Sequence, residues 1–290
     1  MRRCIGCSSL LPETTWACTA CGFSPAEKDR YLSFVSGDND DGFEGEFFEA
    51  LAEYEPGFWW FESRNDLIVW ALERWFPEMT SFLEVGCGTG FVVSRLAREF
   101  TSAKFSASEL FADAMGFVAN RISQAALYQF DARNMPFRDE FDVIGAFDVI
   151  EHIDEDEAVL TELRLALKPA GGLILTVPQH PFLWGPSDDF AHHKRRYTRG
   201  ILRERLERSG YEVLALRSFV SLLMPLQIVS RIASRHSAAP DPRDEFRIPA
   251  IANQVLSGIM SLERHAIAAG ADSPFGGSLL AVARRGPVRT

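Results

Sequence analysis

The chain has 290 residues, enough for one α/β domain of ordinary size and a small additional module. Hydrophobic residues make up 47% of it and charged residues 24%, which excludes an intrinsically disordered chain. The formal net charge of -10 argues against a protein that wraps nucleic acid, because such proteins carry an excess of Lys and Arg. The longest apolar runs, at 218–230 and 248–262, are too short to span a bilayer, and no signal sequence is evident. We therefore expect a cytoplasmic protein.

Four of the five cysteines form two C-x-x-C pairs, Cys4 with Cys7 and Cys18 with Cys21. Two pairs so close together favour a tetrahedral zinc site over a disulfide framework or a redox pair. Four cysteine ligands leave no open position, so the zinc would stabilise a zinc ribbon at residues 1–23 and take no part in chemistry. The ribbon could bind a protein partner, dock on the rest of the chain or mediate self-association.

Residues 24–56 are predicted to form an acidic linker, because the stretch at 36–49 is rich in Asp, Glu and Gly. The linker is expected to become helical near its end. Aromatic residues then become frequent, and apolar residues recur with a helical period between residues 65 and 76. Pro77 ends this predicted helix.

From residue 81 onward, short apolar runs alternate with amphipathic helical stretches. The runs predict seven strands, at 82–85, 104–107, 127–130, 141–147, 173–177, 211–216 and 278–283. Strict alternation of strand and helix favours a parallel sheet covered on both faces. The predicted fold is therefore α/β, a Rossmann-like, doubly wound sheet of seven strands with a small zinc ribbon at its N-terminus.

A glycine-rich turn, EVGCGTG at 84–90, follows the first strand of this sheet. Its glycines let the backbone turn sharply and leave room for a ligand against main-chain N–H groups. The third glycine comes one residue earlier than in the G-x-G-x-x-G dinucleotide fingerprint. Glu84 would repel a pyrophosphate, whereas its carboxylate can accept hydrogen bonds from an ammonium group. Spacing and charge thus disfavour an NAD-dependent oxidoreductase.

Two more carboxylates stand at strand ends: Glu109 follows the second strand and Asp131 the third. The carboxyl ends of parallel strands meet at one edge of a doubly wound sheet, which is where such folds bind ligands. An acid after the second strand is placed to bind a ribose diol, and one after the third to accept from an adenine amino group. Either acid alone would be interpreted as an ordinary loop carboxylate.

Five segments resemble the class I S-adenosylmethionine (SAM)-dependent methyltransferases and occur in that family's order, covering roughly residues 80–215. The segments are FLEVGCGTG (82–90), SASEL (106–110), FDARNMPF (130–137), FDVIGAFDVIEHIDED (141–156) and LKPAGGLILTVP (167–178). The chain is similar to methyltransferases of types 11 and 12 and to ubiquinone-biosynthesis O-methyltransferases. The resemblance implies a SAM-dependent methyltransferase domain, which we place at 57–286.

The resemblance also implies a SAM site built from the glycine turn, the acids at the strand ends and their neighbours. The residues that it assigns to the cofactor are Glu84, Gly86 and Gly88 for the methionine part, Glu109 and Leu110 for the ribose, Asp131 and Ala132 for the adenine, and Phe147 at the end of the fourth strand. Arg64, on the helix that leads into the fold, could pair with the carboxylate of the cofactor or could be an exposed helical charge.

Methyl transfer to a hydroxyl needs in-line placement of the acceptor and a base for its proton. Histidine suits this role at neutral pH, and the candidates are His152, His180 and His193, which follow the fourth and fifth strands. His152 belongs to a D-x-x-E-H segment at 148–152. The segment resembles one that holds a divalent ion in some ubiquinone-biosynthesis O-methyltransferases, or it could only order the helix that follows. His180 and His193 could instead anchor their loop.

Two insertions, at about 179–200 and 218–270, are expected to cover the acceptor. The HKRRYT segment at 193–198 resembles bacterial methyltransferases, many of them associated with lipid or cell-surface polysaccharide pathways, so we expect a small or lipid-linked acceptor. The helical stretches of the second insertion could also pair subunits or contact a membrane peripherally. The alternative function is a zinc-ribbon scaffold protein whose methyltransferase-like domain is inactive, but intact acids at 84, 109 and 131 argue against it.

Overall fold

A nine-stranded sheet runs through the computed structural model of the chain, which describes residues 1–35, 45–234 and 246–287. The strands in chain order are β1 (Arg2–Arg3), β2 (Leu10–Leu11), β3 (Ala26–Glu27), β4 (Leu32–Ser33), β5 (Ser81–Val85), β6 (Lys104–Glu109), β7 (Ala126–Gln129), β8 (Phe141–Phe147), β9 (Leu167–Pro178), β10 (Tyr211–Phe219) and β11 (Ser278–Arg285). β1 and β2 form a separate hairpin, and the other strands share the sheet in the order β10-β11-β9-β8-β5-β6-β7-β4-β3. β4 to β9 run parallel to one another, whereas β3, β10 and β11 pair antiparallel with their neighbours.

Helices cover both faces of the sheet. They are α1 (Gly45–Tyr54), α2 (Trp59–Trp75), α3 (Phe91–Glu99), α4 (Ala112–Arg121), α5 (Asp156–Ala166), α6 (Pro186–Phe190), α7 (Arg199–Arg208), α8 (Met224–Ser234) and α9 (Ala250–Ala268). Buried residues of α2, α3, α4 and α9 form one apolar cluster with the sheet, and those of α5 and α7 form another. Phe82 and Leu83, neighbours in β5, belong to opposite clusters, because successive residues of a strand point to opposite faces. The doubly wound α/β fold is thereby confirmed.

The sheet contains the seven predicted strands and two more, β3 and β4, at the β7 edge. β4 pairs in parallel with Tyr128 and Gln129 of β7. Each added strand has only two residues, too few to show an alternating pattern in the sequence.

The segment predicted as a linker, 24–56, contains β3, β4 and α1. The acidic stretch at 36–44 within it lies outside the described residues. α1 lies against α4, and its neighbour Glu55 is buried.

The second predicted insertion folds back on the rest of the fold through α8 and α9. Glu263 of α9 is buried and accepts hydrogen bonds from the backbone N–H groups of Ser221 (3.0 Å) and Leu222 (2.9 Å), just before α8. Asn253, near the start of α9, accepts from the backbone N–H of Trp59 at 2.9 Å and so ties α9 to α2. Within the described ranges, no helix combines the length and the apolar character that crossing a membrane requires.

Asp156, at the start of α5, joins the loop after β9 to the body of the fold. Its side chain is 2% exposed and accepts a hydrogen bond of 2.6 Å from the hydroxyl of Tyr197. It also pairs with Arg205 of α7 and, at 3.1 Å, with Arg195. One buried carboxylate therefore balances two guanidinium groups.

Substitution Asp156→Asn keeps the shape of this residue and removes its charge, so both guanidinium groups lose their buried partner. We expect the free energy of unfolding to fall by about 2 kcal/mol or more, measured by urea denaturation. The matched control is Asp154→Asn, whose side chain is 70% exposed and lies 3.4 Å from Arg195. Asp154→Asn should lower the free energy of unfolding by less than about 0.5 kcal/mol. Equal losses in the two variants would contradict a special role for the buried carboxylate.

Candidate active site

A cavity of about 1140 Å³ lies over the carboxyl ends of β5, β6 and β8. Its walls come from the glycine turn after β5, from α1 and the start of α2, and from the loop after β9. The predicted site residues that line it are Arg64, Glu84, Gly86, Gly88, Glu109, Leu110, Ala132, Phe147, His152 and His193. This edge of the sheet is where a doubly wound fold binds its ligand.

The glycine turn holds its backbone in the left-handed region, where side chains other than glycine are strained. Gly86 has a φ of 68° and Gly88 a φ of 53°. A Cβ on Gly86 would lie 2.6 Å from the side chain of Val149, whereas one on Gly88 would meet no atom within 4 Å. Gly86 is thus required for packing, and Gly88 keeps the cavity floor open.

Glu84, near the end of β5, is buried beneath this turn, with 2% of its surface exposed. Its Oε2 atom makes no hydrogen bond within the described part of the chain. Burial raises the pKa of this carboxyl to about 8, although nearby Arg64 acts in the opposite direction. An unpartnered buried carboxyl oxygen suits a cationic group such as an ammonium.

Glu109, at the end of β6, braces the turn from the other side. Its Oε2 accepts from the backbone N–H of Gly88 at 2.8 Å, and its Oε1 accepts from that of Leu110 at 2.7 Å. Burial raises the pKa of Glu109, while these backbone donors favour the ionised form. Each carboxylate oxygen can accept more than one hydrogen bond, so a diol could share them.

Asp131 is the one predicted cofactor residue that does not line the cavity. Its carboxylate accepts from the guanidinium of Arg133, at 2.7 Å from Nη2, and from the Arg133 backbone N–H at 2.8 Å. Burial alone would raise the pKa of Asp131, but the hydrogen bonds from Arg133 outweigh it and lower that pKa. Its neighbours Ala132 and Arg133 do line the cavity.

Arg64 lies in the cavity wall and is paired with Asp148, Nη1 to Oδ2, at 2.5 Å. Thr176 of β9 also donates to Asp148, at 3.1 Å. Arg64 is therefore a buried, partnered cation rather than an exposed helical charge. Asp148 is the first residue of the D-x-x-E-H segment, but it is not part of the group of possible metal ligands formed by Glu151, His152 and His193.

His193 and His152 come together at one end of the cavity, with ring centroids 4.7 Å apart. The Nδ1 atom of His193 lies 2.8 Å from Oδ1 of Asp188, a carboxylate with 1% of its side chain exposed. Its Nε2 atom lies 4.0 Å from Oε1 of Glu151. Burial, followed by the proximity of His193, lowers the pKa of His152 to about 4, so His152 is neutral at pH 7.

His180 lies apart from this pair and is not among the residues that line the cavity. Its ring stacks on Phe182 at 5.0 Å and lies 5.6 Å from the ring of Phe275. Its backbone has a φ of 63° and donates to the carbonyl of Tyr197. In this position His180 anchors the loop after β9.

Glu151 belongs to the D-x-x-E-H segment that the sequence links to a divalent ion, but it is not among the residues predicted to be catalytic or to bind the cofactor. It is fully buried, and neither of its carboxyl oxygens has a hydrogen-bond partner within the described residues. Burial, with the nearby charge of Asp148, raises its pKa well above the ordinary value. The ligand atoms of Glu151, His152 and His193 lie within 4.8 Å of one another. His193 is 42 positions from Glu151 in the chain, so only the fold reveals this grouping.

A second unpredicted group holds α1 against the glycine turn. Glu55, just after α1, accepts from the hydroxyl of Thr89 at 2.6 Å and from Arg121 of α4 at 2.5 Å. Arg121 also donates to the Thr89 hydroxyl at 2.5 Å. These polar groups lie 34 and 66 positions after Glu55, and no local pattern in the sequence indicates that they meet.

The four cysteines of the N-terminal module form a second site, away from the cavity. The Sγ atoms of Cys4 and Cys21 are 3.5 Å apart, and those of Cys7 and Cys18 are 3.6 Å apart. All four lie within 4.8 Å of one another. Tetrahedral zinc–thiolate bonds of about 2.3 Å place sulfur atoms about 3.8 Å apart, so the cluster fits such an ion.

Comparison with known proteins supports the methyl-transfer interpretation. The profile of a family described as "Methyltransferase domain" matches residues 15–216. A fatty-acid O-methyltransferase of Mycolicibacterium smegmatis is 35% identical over 97 residues, which are 32% of this chain and 35% of that protein. The curated relatives that the chain matches are aligned over only 35–38% of their own length.

Two solved structures illustrate the shared fold. Phosphoethanolamine N-methyltransferase 2 of Haemonchus contortus, in complex with SAM, has a TM-score of 0.56 at 15% identity, over 86% of this chain and 59% of that chain. The [4+2]-cyclase SpnF has a TM-score of 0.56 at 20% identity, over 83% of this chain and 95% of that chain. At these identities the likeness extends to the fold alone, and a fold does not fix the reaction.

Substitution Glu84→Gln should separate stability from ligand binding. The pKa of Glu84 is about 8 in the folded protein, against an ordinary value of 4.5. Between pH 4.5 and about 8, Glu84 is therefore protonated in the folded protein and ionised in the unfolded chain. Its contribution to stability is present below pH 4.5 and is lost as the pH rises through about 8. At pH 9 the ligand-free variant should therefore unfold about 3 °C or more above the wild type, with a smaller difference at pH 5.5.

Thermal unfolding at both pH values checks this expectation, and calorimetry should show weaker binding of S-adenosylhomocysteine (SAH) by the variant. Glu99→Gln is the control, because the side chain of Glu99 is 43% exposed. A pH-independent difference between Glu84→Gln and the wild type would count against the raised pKa.

Proposed function

The chain belongs to the methyltransferase-domain family, and on this premise we propose that it is a SAM-dependent methyltransferase that methylates a hydroxyl oxygen of a small or lipid-linked acceptor. The observation that carries the proposal is the pairing of His193, which lines the cavity, with the buried carboxylate of Asp188. When bound, SAM supplies a methyl group that its sulfonium already activates. The protein must then place the acceptor oxygen in line and remove its proton.

At the cofactor end, Glu84 would accept from the ammonium of the methionine part, with Gly86 and Gly88 leaving space for it. Glu109 would bind the ribose through oxygens that already accept from backbone N–H groups. Ala132 would lie beside the adenine. Asp131 could accept from the adenine amino group only by giving up part of its contact with Arg133.

His193 is the best placed of the three candidate histidines to act as the base. Asp188 fixes its Nδ1, which leaves Nε2 to accept a proton from an acceptor hydroxyl. Burial alone would raise the pKa of Asp188, but hydrogen bonds from His193 and Arg196 lower it, so the carboxylate stays charged and stabilises an imidazolium. His152 is a neutral neighbour, and His180 lies outside the cavity wall.

The acceptor end of the cavity favours an apolar molecule with a polar or anionic group. Aromatic residues from five parts of the chain line the cavity: Phe47, Phe48, Phe58, Trp59, Trp60, Phe61, Phe111, Phe190 and Phe246. Lys194, Arg196 and Arg231 contribute positive charge to the same cavity. An aromatic wall with nearby cations suits an acyl or isoprenoid chain that carries a hydroxyl, phosphate or carboxylate group.

A carboxylate oxygen is the second candidate acceptor, because the relative from Mycolicibacterium smegmatis is a fatty-acid O-methyltransferase. The cations at the cavity wall could hold such a carboxylate. A carboxylate is already deprotonated at neutral pH, so its methylation needs no base. The two candidates therefore differ in their dependence on His193.

The N-terminal cysteines are proposed to bind a structural zinc ion. All four thiolates would be ligands, which leaves no position for a substrate. This assignment rests on the Sγ separations and on the spacing of the two C-x-x-C pairs.

Substitution His193→Ala should reduce kcat by about a hundredfold or more for a hydroxyl acceptor and leave SAH affinity unchanged. SAH release is measured with a long-chain alcohol, a phenol or a long-chain fatty acid as acceptor, and SAH binding is measured by calorimetry. The control is His180→Ala, which should retain turnover because His180 does not line the cavity.

The acceptors discriminate between the candidates. Turnover of an alcohol or phenol that His193→Ala abolishes supports the hydroxyl proposal. Turnover of the fatty acid alone, undiminished in His193→Ala, would replace it with the carboxylate candidate. If His180→Ala lost activity and His193→Ala kept full activity, the assignment of His193 as the base would be overturned.

A further inference from the structure

The N-terminal zinc-ribbon module is docked on the loop between β7 and β8 (residues 130–140), and we propose that metal binding by its cysteines strengthens cofactor binding through this contact. The coupling residue is Arg3, which immediately precedes the ligand Cys4. The inference rests on the proposed cofactor site, because Ala132 and Arg133 in that loop line its adenine end.

Arg3 contacts the β7–β8 loop with both its backbone and its side chain. Its backbone N–H donates to the carbonyl of Pro136 at 2.9 Å, and its Nε donates to the carbonyl of Met135 at 3.0 Å. Its Nη2 donates to Asn134 at 3.1 Å, and Asn134 in turn donates to the carbonyl of Ile5 at 3.1 Å. These bonds lie on either side of Cys4, so the position of that ligand and the shape of the loop are linked.

Glu162 of α5 closes the contact on the other side. It pairs with Arg3, and its Oε2 also accepts from the backbone N–H of Met135 at 2.9 Å. The two charged side chains are 11% and 15% exposed, so water screens their attraction little. The loop is thus held between the module and α5 by a shielded ion pair.

Trp16 provides an apolar contact between the same two parts of the chain. It lies between the two C-x-x-C pairs in the sequence and packs edge-on against Phe137 of the loop at 5.7 Å and against Tyr128 of β7 at 6.0 Å. A metal ion that joins both pairs would fix Arg3 and Trp16 relative to each other.

Among the described residues, those of the module itself (1–23) do not line the cavity. Its influence on the cofactor can therefore pass only through the elements that it contacts. Without the metal, four unlinked thiols leave Arg3 and Trp16 free to move independently. The loop then samples more conformations, and binding must restrict them at a cost in affinity.

The first experiment compares the zinc-loaded protein with the same protein after removal of zinc by a chelator. Calorimetry measures SAH affinity, and hydrogen exchange measures the protection of amides at 130–140. We expect zinc removal to weaken SAH binding by about tenfold and to speed exchange in the loop. Unchanged affinity together with unchanged exchange would overturn the proposal.

The second experiment breaks the contact and leaves the cysteines intact. Arg3→Met should retain one zinc per chain, measured by elemental analysis. Its affinity for SAH should nevertheless be several-fold lower than that of the wild type, and Arg3→Lys should recover part of the loss. The matched control is Arg30→Met, since Arg30 is exposed and donates to Ser123, outside the loop. It should bind SAH as the wild type does.

Arg3→Met with full zinc content, wild-type affinity and wild-type loop exchange would refute the coupling, even if zinc removal unfolds the protein. Failure of the proposed cofactor site has a different signature, since the zinc-loaded wild type would then not bind SAH at all. Hydrogen exchange of the amides at 130–140 in Arg3→Met would still decide whether contact with the module restricts the motion of the loop.

Discussion

The hydrogen bond from the backbone of Gly88 to Glu109 joins the two features on which the site depends, the glycine turn and the acid of the neighbouring strand. The glycines of the turn adopt left-handed backbone conformations without strain, but they are also free to leave them, so hydrogen bonds are needed to hold the turn in one conformation. Glu109 holds it from β6, and Glu55 holds Thr89 from the end of α1. The cavity floor is therefore preorganised in the absence of ligand.

This preorganisation requires buried carboxyl groups that would otherwise destabilise the fold. Glu84 and Glu151 both carry carboxyl oxygens without partners within the described residues, and burial raises the pKa of each. Groups of this kind persist where a ligand will satisfy them, which is why they mark functional sites more reliably than paired acids do. Asp156, by contrast, is fully paired and serves stability.

Much of the fold could be predicted from the sequence, because a parallel sheet buried on both faces appears as a series of apolar runs. Glu84 and Glu109 could be predicted as site residues since their positions follow from the strand ends. The partners of Arg64 and Asp131 could not, because side-chain pairing depends on geometry that spacing does not encode. The same holds for β3 and β4, whose place at the sheet edge depends on packing around Trp16.

The position of β11 has a consequence for the order of folding. This strand, at 278–285, lies between β9 and β10 in the sheet, so residues that are synthesised late fill a gap between two earlier strands. Until β11 arrives, β10 cannot join the sheet, and an edge of β9 remains open to pairing with other chains. Contacts of such long sequence separation slow folding. During synthesis the chain is therefore open to misassociation at the edge of β9 until β11 emerges.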